Sequence, residues 1–484
     1  MFEISAWPWL ERLSREHGRT LTLGQVPETQ WDALAARGFH IVYLMGVWRR
    51  SAIGRQMARS DPGLMMEFDR TLPGWTVEDV PGSPYSIGAY EPDPRLGGWR
   101  DLEVTRRRLH ARGIALVVDF VPNHTGFDHP WVDSHPDRYV TGSLADFRAN
   151  PRAFKLIETR AGGPRYIACG RDPFFPPWSD VAQLDYSNPD TRAAMIVQLQ
   201  VIGEHCDGVR CDMAMLALND VFAGTWGHLV RRPSPDAEFW SDATAALPAF
   251  LFLAEVYWDL EWRLQRLGFS FTYDKRLRDR LLHESAQSVR GHLRADLSYQ
   301  ARLARFLDNH DEPRSLEEFG RGRLEAAAVT CGTTPGMRFY YDGQLEGRRL
   351  RAPVQLARWA DEPRHPEIEE LYARLLGATR DRVFHDGDWA LLELRPAGDD
   401  SSSHLIAWRW RLDADLRVIV VNLSASSAQG NVLLGGEISP DGPPSVLAAD
   451  LMGGGRYTWD RGPLRDRGLY VRLDGGRAHL FEVS

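Results

Sequence analysis

Lysine is almost absent: of 58 basic side chains only Lys155 and Lys275 are lysines, and the rest are arginines. The bias reads as the mark of a GC-rich genome rather than of a function. Positive charge is not in surplus either. Against 66 acidic residues the chain carries −8 at pH 7, which argues against a surface built for a nucleic-acid backbone or an anionic membrane. Cysteine is scarce. Cys169, Cys206, Cys211 and Cys331 lie scattered, with no CxxC pair and no histidines at zinc-ligand spacing, so a structural zinc is not indicated and the four read as buried thiols in a reducing compartment. Long apolar runs are missing too: the longest, Phe39 to Trp48, is about half the roughly 20 residues of a membrane-spanning helix. The N-terminus, MFEISAWPWLERLSREHG, carries acids early and has neither a basic start nor an apolar segment, unlike a secretory signal. A soluble, cytoplasmic chain with no nucleic-acid or membrane partner is expected, and its oligomeric state is left open.

What is present is ample core. Apolar residues make up 43% of the 484-residue chain and aromatics 11%, enough for roughly three domains or one large barrel with additions. Apolar stretches of strand character alternate with helical patterns. Thr20 to Val26, Phe39 to Trp48 and IALVVDF come first, then stretches ending at Asp207 to Cys211, Leu251 to Glu255, Phe269 to Tyr273, Leu303 to Leu307 and Gly336 to Tyr341. Helical segments such as PETQWDALAARG and GWRDLEVTRRRLHARG lie between them. Eight strands alternating with helices predict an α/β fold, a (β/α)8 TIM barrel with its active site at the C-terminal strand ends. Two connections are long, Arg49 to Gly97 and Thr125 to Asp185, and should wall a cleft. After Arg382 short strands separated by Gly, Pro, Ser and Asp predict a C-terminal antiparallel β-sandwich. The expected domains are the barrel over 1–124 and 186–382, an insertion after strand three over 125–185, and the sandwich over 383–484.

Polar residues cluster where strands end. DFVPNH ends in Asn123 and His124, DGVRCD holds Arg210 and Asp212, FLAE ends in Glu255, and FLDNHD holds His310 and Asp311. Acids from different barrel strands converge at the top face without being neighbours in sequence. Hydrolysis of a glycosidic bond needs such a pair, one carboxylate as nucleophile or base and one protonated carboxyl as acid, flanking an oxocarbenium-like centre. Asp212 and Glu255 suit the two parts: Arg210, two residues before Asp212 and on the same strand face, holds that acid ionised, while a more desolvated Glu255 keeps its proton.

With DFVPNH, GVRCD, AEVYW and FLDNHD in this order, and TTPGMRFYYDGQLEG on strand eight, the sequence resembles the α-amylase family, glycoside hydrolase family 13. The resemblance covers essentially the whole chain. It implies Asp212 as the nucleophile forming a covalent glycosyl-enzyme, Glu255 as general acid and base, and Asp311 as the acid that fixes the sugar hydroxyls. The outcome is then retention, with the two main carboxyls about 5–5.5 Å apart. It further implies that His124 and His310 bind hydroxyls, that Arg210 bridges to Asp212 with Asp119 in support, and that Tyr85 stacks beneath the sugar. Trp178 and Trp258, with Phe174 and Phe175 near them, are candidates to stack on further glucosyl units. No cofactor is required. Asn123 matches a calcium ligand of many members, so calcium is the one ion to consider. The chain departs from the family pattern at Met215 and Leu216, where endo-acting members carry Lys and His, at AQLDY around Gln183 to Tyr186, and at Ala89.

The expected function is a retaining α-glycosidase on maltooligosaccharides or related α-glucans. A transglycosidase of the same family, moving the glycosyl group to another sugar, is the alternative, and a non-catalytic sugar-binding protein the third.

Overall fold

The buried apolar runs become short parallel strands. The structure, a computed structural model, describes residues 1–160 and 163–484. It divides into two compact units, Met1–Tyr273 with Arg351–Asp361 and Asp274–Leu350 with Glu362–Ser484. In the first unit six strands lie side by side in chain order: β1 (Phe2–Ser5), β2 (Ile41–Met45), β3 (Ala115–Phe120), β4 (Gly208–Cys211), β5 (Leu251–Ala254) and β6 (Phe271–Tyr273). Every pairing is parallel, with Phe2 against Val42, Ile41 against Ala115, Val117 against Gly208 and Leu253 against Phe271. Leu116, Val117 and Val118 of β3 have no solvent exposure, as expected of a parallel strand covered on both faces, and each such side chain contributes about 1.5–3 kcal/mol by its burial.

The first strand departs from expectation. Thr20 to Val26 holds no strand; Leu23–Gln25 is a 3₁₀ turn closed by a capping box between Thr22 and Gln25. Side chains that bond the local backbone in this way favour a turn over a ladder. The strand that takes its place, β1, is only four residues long and runs straight into the helix Ala6–Glu16.

The two long connections are built, not loose. Trp48–Arg50 pairs antiparallel with Ile87–Pro92, and the helices Ala52–Ser60 and Pro62–Thr71 lie between them in the chain. Beyond β3, the strands His124–Gly126, Thr141–Gly142, Phe154–Thr159, Gly163–Gly170 and Trp178–Gln183 form an antiparallel sheet of their own.

In the second unit β7 (Leu303–Arg305) pairs in parallel with β8 (Met337–Arg338), and β9 (Tyr340–Tyr341) follows. The eighth barrel strand is thus interrupted at Phe339. Nine further strands between Asp388 and Val483 form a six-stranded and a three-stranded antiparallel sheet, and residues including Leu405, Val418, Val420, Val432, Val471 and Phe481 form their shared core. The fold class read from the sequence, a (β/α)8 barrel with a C-terminal β-sandwich, is borne out. Among the described residues no helix is long and apolar enough to cross a membrane, and all four cysteines are buried.

One carboxylate ties the first unit's layers together. Asp207, just before β4, accepts from Nε and Nη2 of Arg106 at 3.0 and 2.7 Å, from the Leu116 backbone N–H at 2.7 Å, and sits 2.7 Å from the His110 ring. Replacing it leaves those donors unmatched, so Asp207→Ala is expected to lose about 2 kcal/mol of stability. A urea midpoint equal to that of wild type would contradict this.

Candidate active site

Two neighbouring strands deliver the two principal acids. The β4–β5 register sets Arg210 opposite Leu253 and Cys211 opposite Ala254. Asp212 and Glu255 are the next residues on each strand, and the Glu255 N–H donates to the Cys211 carbonyl at 3.0 Å. Arg210 has no solvent exposure. Its Nη1 donates to Asp212 Oδ1 at 2.6 Å and its Nη2 lies 2.8 Å from Glu255 Oε2. The structure therefore adds Glu255 to the partner expected for this arginine: the strand's period of two puts Arg210 below Asp212, and the parallel register puts Glu255 at the same height next door. Burial works against the guanidinium charge, but the Glu255 carboxylate, with Tyr85, Tyr273 and Tyr43 around it, outweighs that and holds the arginine charged well above its ordinary range. The guanidinium carbon lies 5.2 Å from the Tyr85 ring centre and 5.8 Å from that of Tyr273, within the reach of cation–π attraction.

Glu255 is gripped from two more directions. Its Oε2 accepts from the Met213 N–H at 2.7 Å and its Oε1 from the Tyr257 hydroxyl at 2.8 Å. Met213 adopts a left-handed backbone, φ 42°, which costs a side-chain-bearing residue about 1–2 kcal/mol; there its N–H meets the acid of the adjacent strand. The sequence reading singled out neither residue. Tyr257 was detectable in principle, since it stands two positions after Glu255, whereas Met213 acts through its backbone and its residue type carries no signal.

Asp119 sits opposite Arg210 in the β3–β4 register. Its carboxylate accepts from the Tyr43 hydroxyl at 2.5 Å and the Gly46 N–H at 2.6 Å. His124 is buried, bonded to the Tyr85 backbone and packed edge-on against Trp178, whose ring centre is 5.4 Å away. Burial pulls its pKa down to about 4, although Asp180 and the Tyr85 bond push the other way. It is a neutral ring at neutral pH. Trp258 also has a left-handed backbone, φ 66°, and its ring centre lies 5.0 Å from that of Phe174. Phe174 and Phe175 are 70% and 66% exposed, so this pair of rings belongs to the surface rather than the core.

In the second unit His310 is buried and its Nε2 lies 2.9 Å from Asp311 Oδ2, while the Asp311 side chain is 45% exposed. Asn309 Oδ1 accepts from the N–H groups of Asp311 and Glu312 at 2.9 and 2.8 Å and so shapes the turn that carries the acid, a role sequence alone did not suggest. Asn123, at the exit of β3, presents its carbonyl and Oδ1 to Nε2 of Gln183 at 3.0 and 2.9 Å. Met215 and Leu216 are buried in the 3₁₀ turn Ala214–Ala217. Among the described residues no group of three or more His, Cys, Asp or Glu is placed to hold a metal ion.

No family model matches the chain. The chain is 25% identical over 338 residues to the alpha-amylase MalA of Haloarcula japonica, covering 68% of this chain and 46% of that protein. It is 23% identical over 300 residues to alpha-amylase 3 of Dictyoglomus thermophilum, covering 56% of each. The chain thus spans about half the length of the curated relatives it matches. Among solved structures, the noncanonic maltogenic alpha-amylase AmyB of Thermotoga neapolitana superposes with a TM-score of 0.70 at 20% identity, covering 100% of this chain and 98% of that one. The resemblance and the fold read from the motifs are borne out.

The buried histidines make the stability of the fold depend on pH. His124 and His129 both have pKa values lowered to about 4, chiefly by burial, whereas an unfolded chain protonates them near the ordinary 6.5. Between those values the unfolded state binds more protons, so their share of stability is complete above about pH 6.5 and drains as the pH falls toward 4, about 3 kcal/mol for each fully buried ring. The urea midpoint of wild type should fall more steeply between pH 7 and pH 4 than that of His124→Gln; parallel curves would refute the assignment.

Proposed function

We propose that the chain is of the α-amylase family and that it is a retaining α-glycosidase acting on α-glucosidic bonds of maltooligosaccharides or related α-glucans. The observation that carries the reading is the single buried guanidinium shared by Asp212 and Glu255. One cation between two acids leaves the set one negative charge over, which is the balance for one proton. In the first step the Asp212 carboxylate bonds to the anomeric carbon as the glycosidic bond breaks, and the Glu255 proton passes to the departing oxygen. In the second, Glu255, now a carboxylate, takes a proton from water, whose oxygen displaces Asp212 and restores the configuration of the substrate. Through both steps the Met213 N–H and the Tyr257 hydroxyl keep the Glu255 carboxyl from rotating away.

The surrounding residues take the parts the resemblance implies. Tyr85 stacks beneath the reacting sugar, while the neutral His124 engages its hydroxyls; for His310 and Asp311 the resemblance implies the hydroxyl-binding parts. Asp119 fixes the ground beside Arg210. Trp178 and Trp258 receive glucosyl units beyond the cleavage point. We place the protein in the cytoplasm, where its four buried thiols stay reduced, and assign it no obligatory cofactor.

Glu255→Gln is expected to lower kcat on maltoheptaose by about 10³-fold, the worth of a positioned acid and base. Asp212→Asn should abolish turnover while leaving maltoheptaose affinity within a few-fold. Chromatographic product profiles with proton NMR of the first product should show shorter oligosaccharides released as the α-anomer. Products longer than the substrate would assign transfer to sugar in place of hydrolysis. A β-anomer, or unchanged turnover in Asp212→Asn, would overturn the mechanism.

A further inference from the structure

Asn123 is the residue for which the family resemblance implies calcium, and the atoms around it test that implication. The Asn123 carbonyl oxygen, Asn123 Oδ1 and the Leu184 carbonyl oxygen lie 3.0, 2.9 and 3.1 Å from one point, and that point is Nε2 of Gln183. A calcium ion gathers about six to eight oxygens at about 2.3–2.6 Å, carboxylates commonly among them. Two acids nearby in the chain are engaged elsewhere. Asp185 accepts from the Ser187 N–H and hydroxyl and pairs with Arg232 at 3.1 Å, while Asp119 takes the Tyr43 hydroxyl and the Gly46 N–H. Three neutral oxygens facing a nitrogen that donates two protons do not make a calcium site. The residues present do not fit the ion.

We infer that the Gln183 side-chain amide occupies the position a cation would take and performs its structural task, so that this chain holds the base of its insertion together without metal. Gln183 has no solvent exposure and lies opposite His124 in the register between Trp178–Gln183 and His124–Gly126. Its NH2 carries partial positive charge into a cluster of carbonyl dipoles and satisfies them, as an ion would. The donor is covalently attached, so the cross-link from the exit of β3 to the insertion does not depend on the calcium concentration outside. The orientation of the amide is what decides the matter. With Nε2 facing the cluster, Oε1 is buried with no hydrogen-bond partner. Turned over, Oε1 would join the other oxygens, and four oxygens pointing at one another require a cation between them. His124 packs beside this cluster, with its Nδ1 3.3 Å from Asn123 Nδ2, so the amide also steadies a side chain that the proposed reaction uses.

The test is metal content and thermal unfolding of the full chain, independent of activity. Wild type dialysed against EDTA should contain no calcium by elemental analysis, and its midpoint should not shift when millimolar calcium chloride is added. One calcium retained per chain, or a midpoint that falls in EDTA and recovers with calcium, would overturn the inference. Gln183→Glu places a carboxylate among the three oxygens. Its midpoint should drop in EDTA and be restored by calcium; a midpoint indifferent to calcium would show that the point is not a cation position and would equally overturn it. Should that variant fail to fold, the wild-type measurements decide.

Discussion

A guanidinium with no access to solvent, placed between two carboxylates, is the contact on which the rest of the first unit depends. Removing such a charge from water costs several kcal/mol, and the cost is recovered only when its partners stand at hydrogen-bond distance with their remaining lone pairs satisfied. Arg210 therefore constrains everything around it. Asp212 and Glu255 must leave β4 and β5 at the same height, which the parallel register ensures. The phenol rings of Tyr85 and Tyr273 must close over the cation. A strand slipped by one residue would turn Arg210 to the opposite face and strand its charge among the apolar side chains that cover the barrel.

That constraint spreads outward through ordinary hydrogen bonds. Asp119, level with Arg210 on β3, is locked by Tyr43 from β2, by the Gly46 N–H just beyond β2, and through its carbonyl by Trp48 Nε1 at 2.7 Å. Gly46 adopts φ 80°, a backbone that a side chain would strain, and so brings its N–H onto the carboxylate. The same strand, β3, continues into Asn123 and His124, one held by the Gln183 amide and the other kept neutral by burial. Four adjacent strands and the insertion are thus connected to a single charged centre, and the insertion is attached where its position bears on that centre.

Much of this was legible in the sequence. The acids stand out because each follows an apolar run that has to be a buried strand, and a polar residue immediately after such a run lies at a barrel mouth. The first strand was not legible. FEIS is too short to show a period and is followed at once by a helix, while Thr20 to Val26 has strand-like composition but closes on itself through Thr22 and Gln25. The finer parts of the site were hidden for a different reason. Met213 contributes a backbone N–H, Asn309 shapes a turn, and the shared grip of Arg210 on two acids follows from register, none of which residue identity encodes. Gln183 was visible only as part of an unassigned segment, AQLDY; its meaning lies in three oxygens contributed by residues up to sixty positions away.

In the proposed mechanism Asp212 and Glu255 divide the chemistry between them around Arg210. The measurement that tests it most directly is covalent trapping. The protein is incubated with a fluorinated α-glucosyl fluoride, which forms the glycosyl-enzyme faster than water removes it, then digested and sequenced by mass spectrometry. The glycosyl group should be found on Asp212 alone, at one per chain. Its attachment to Glu255, or the absence of any adduct while the substrate is turned over, would contradict the account.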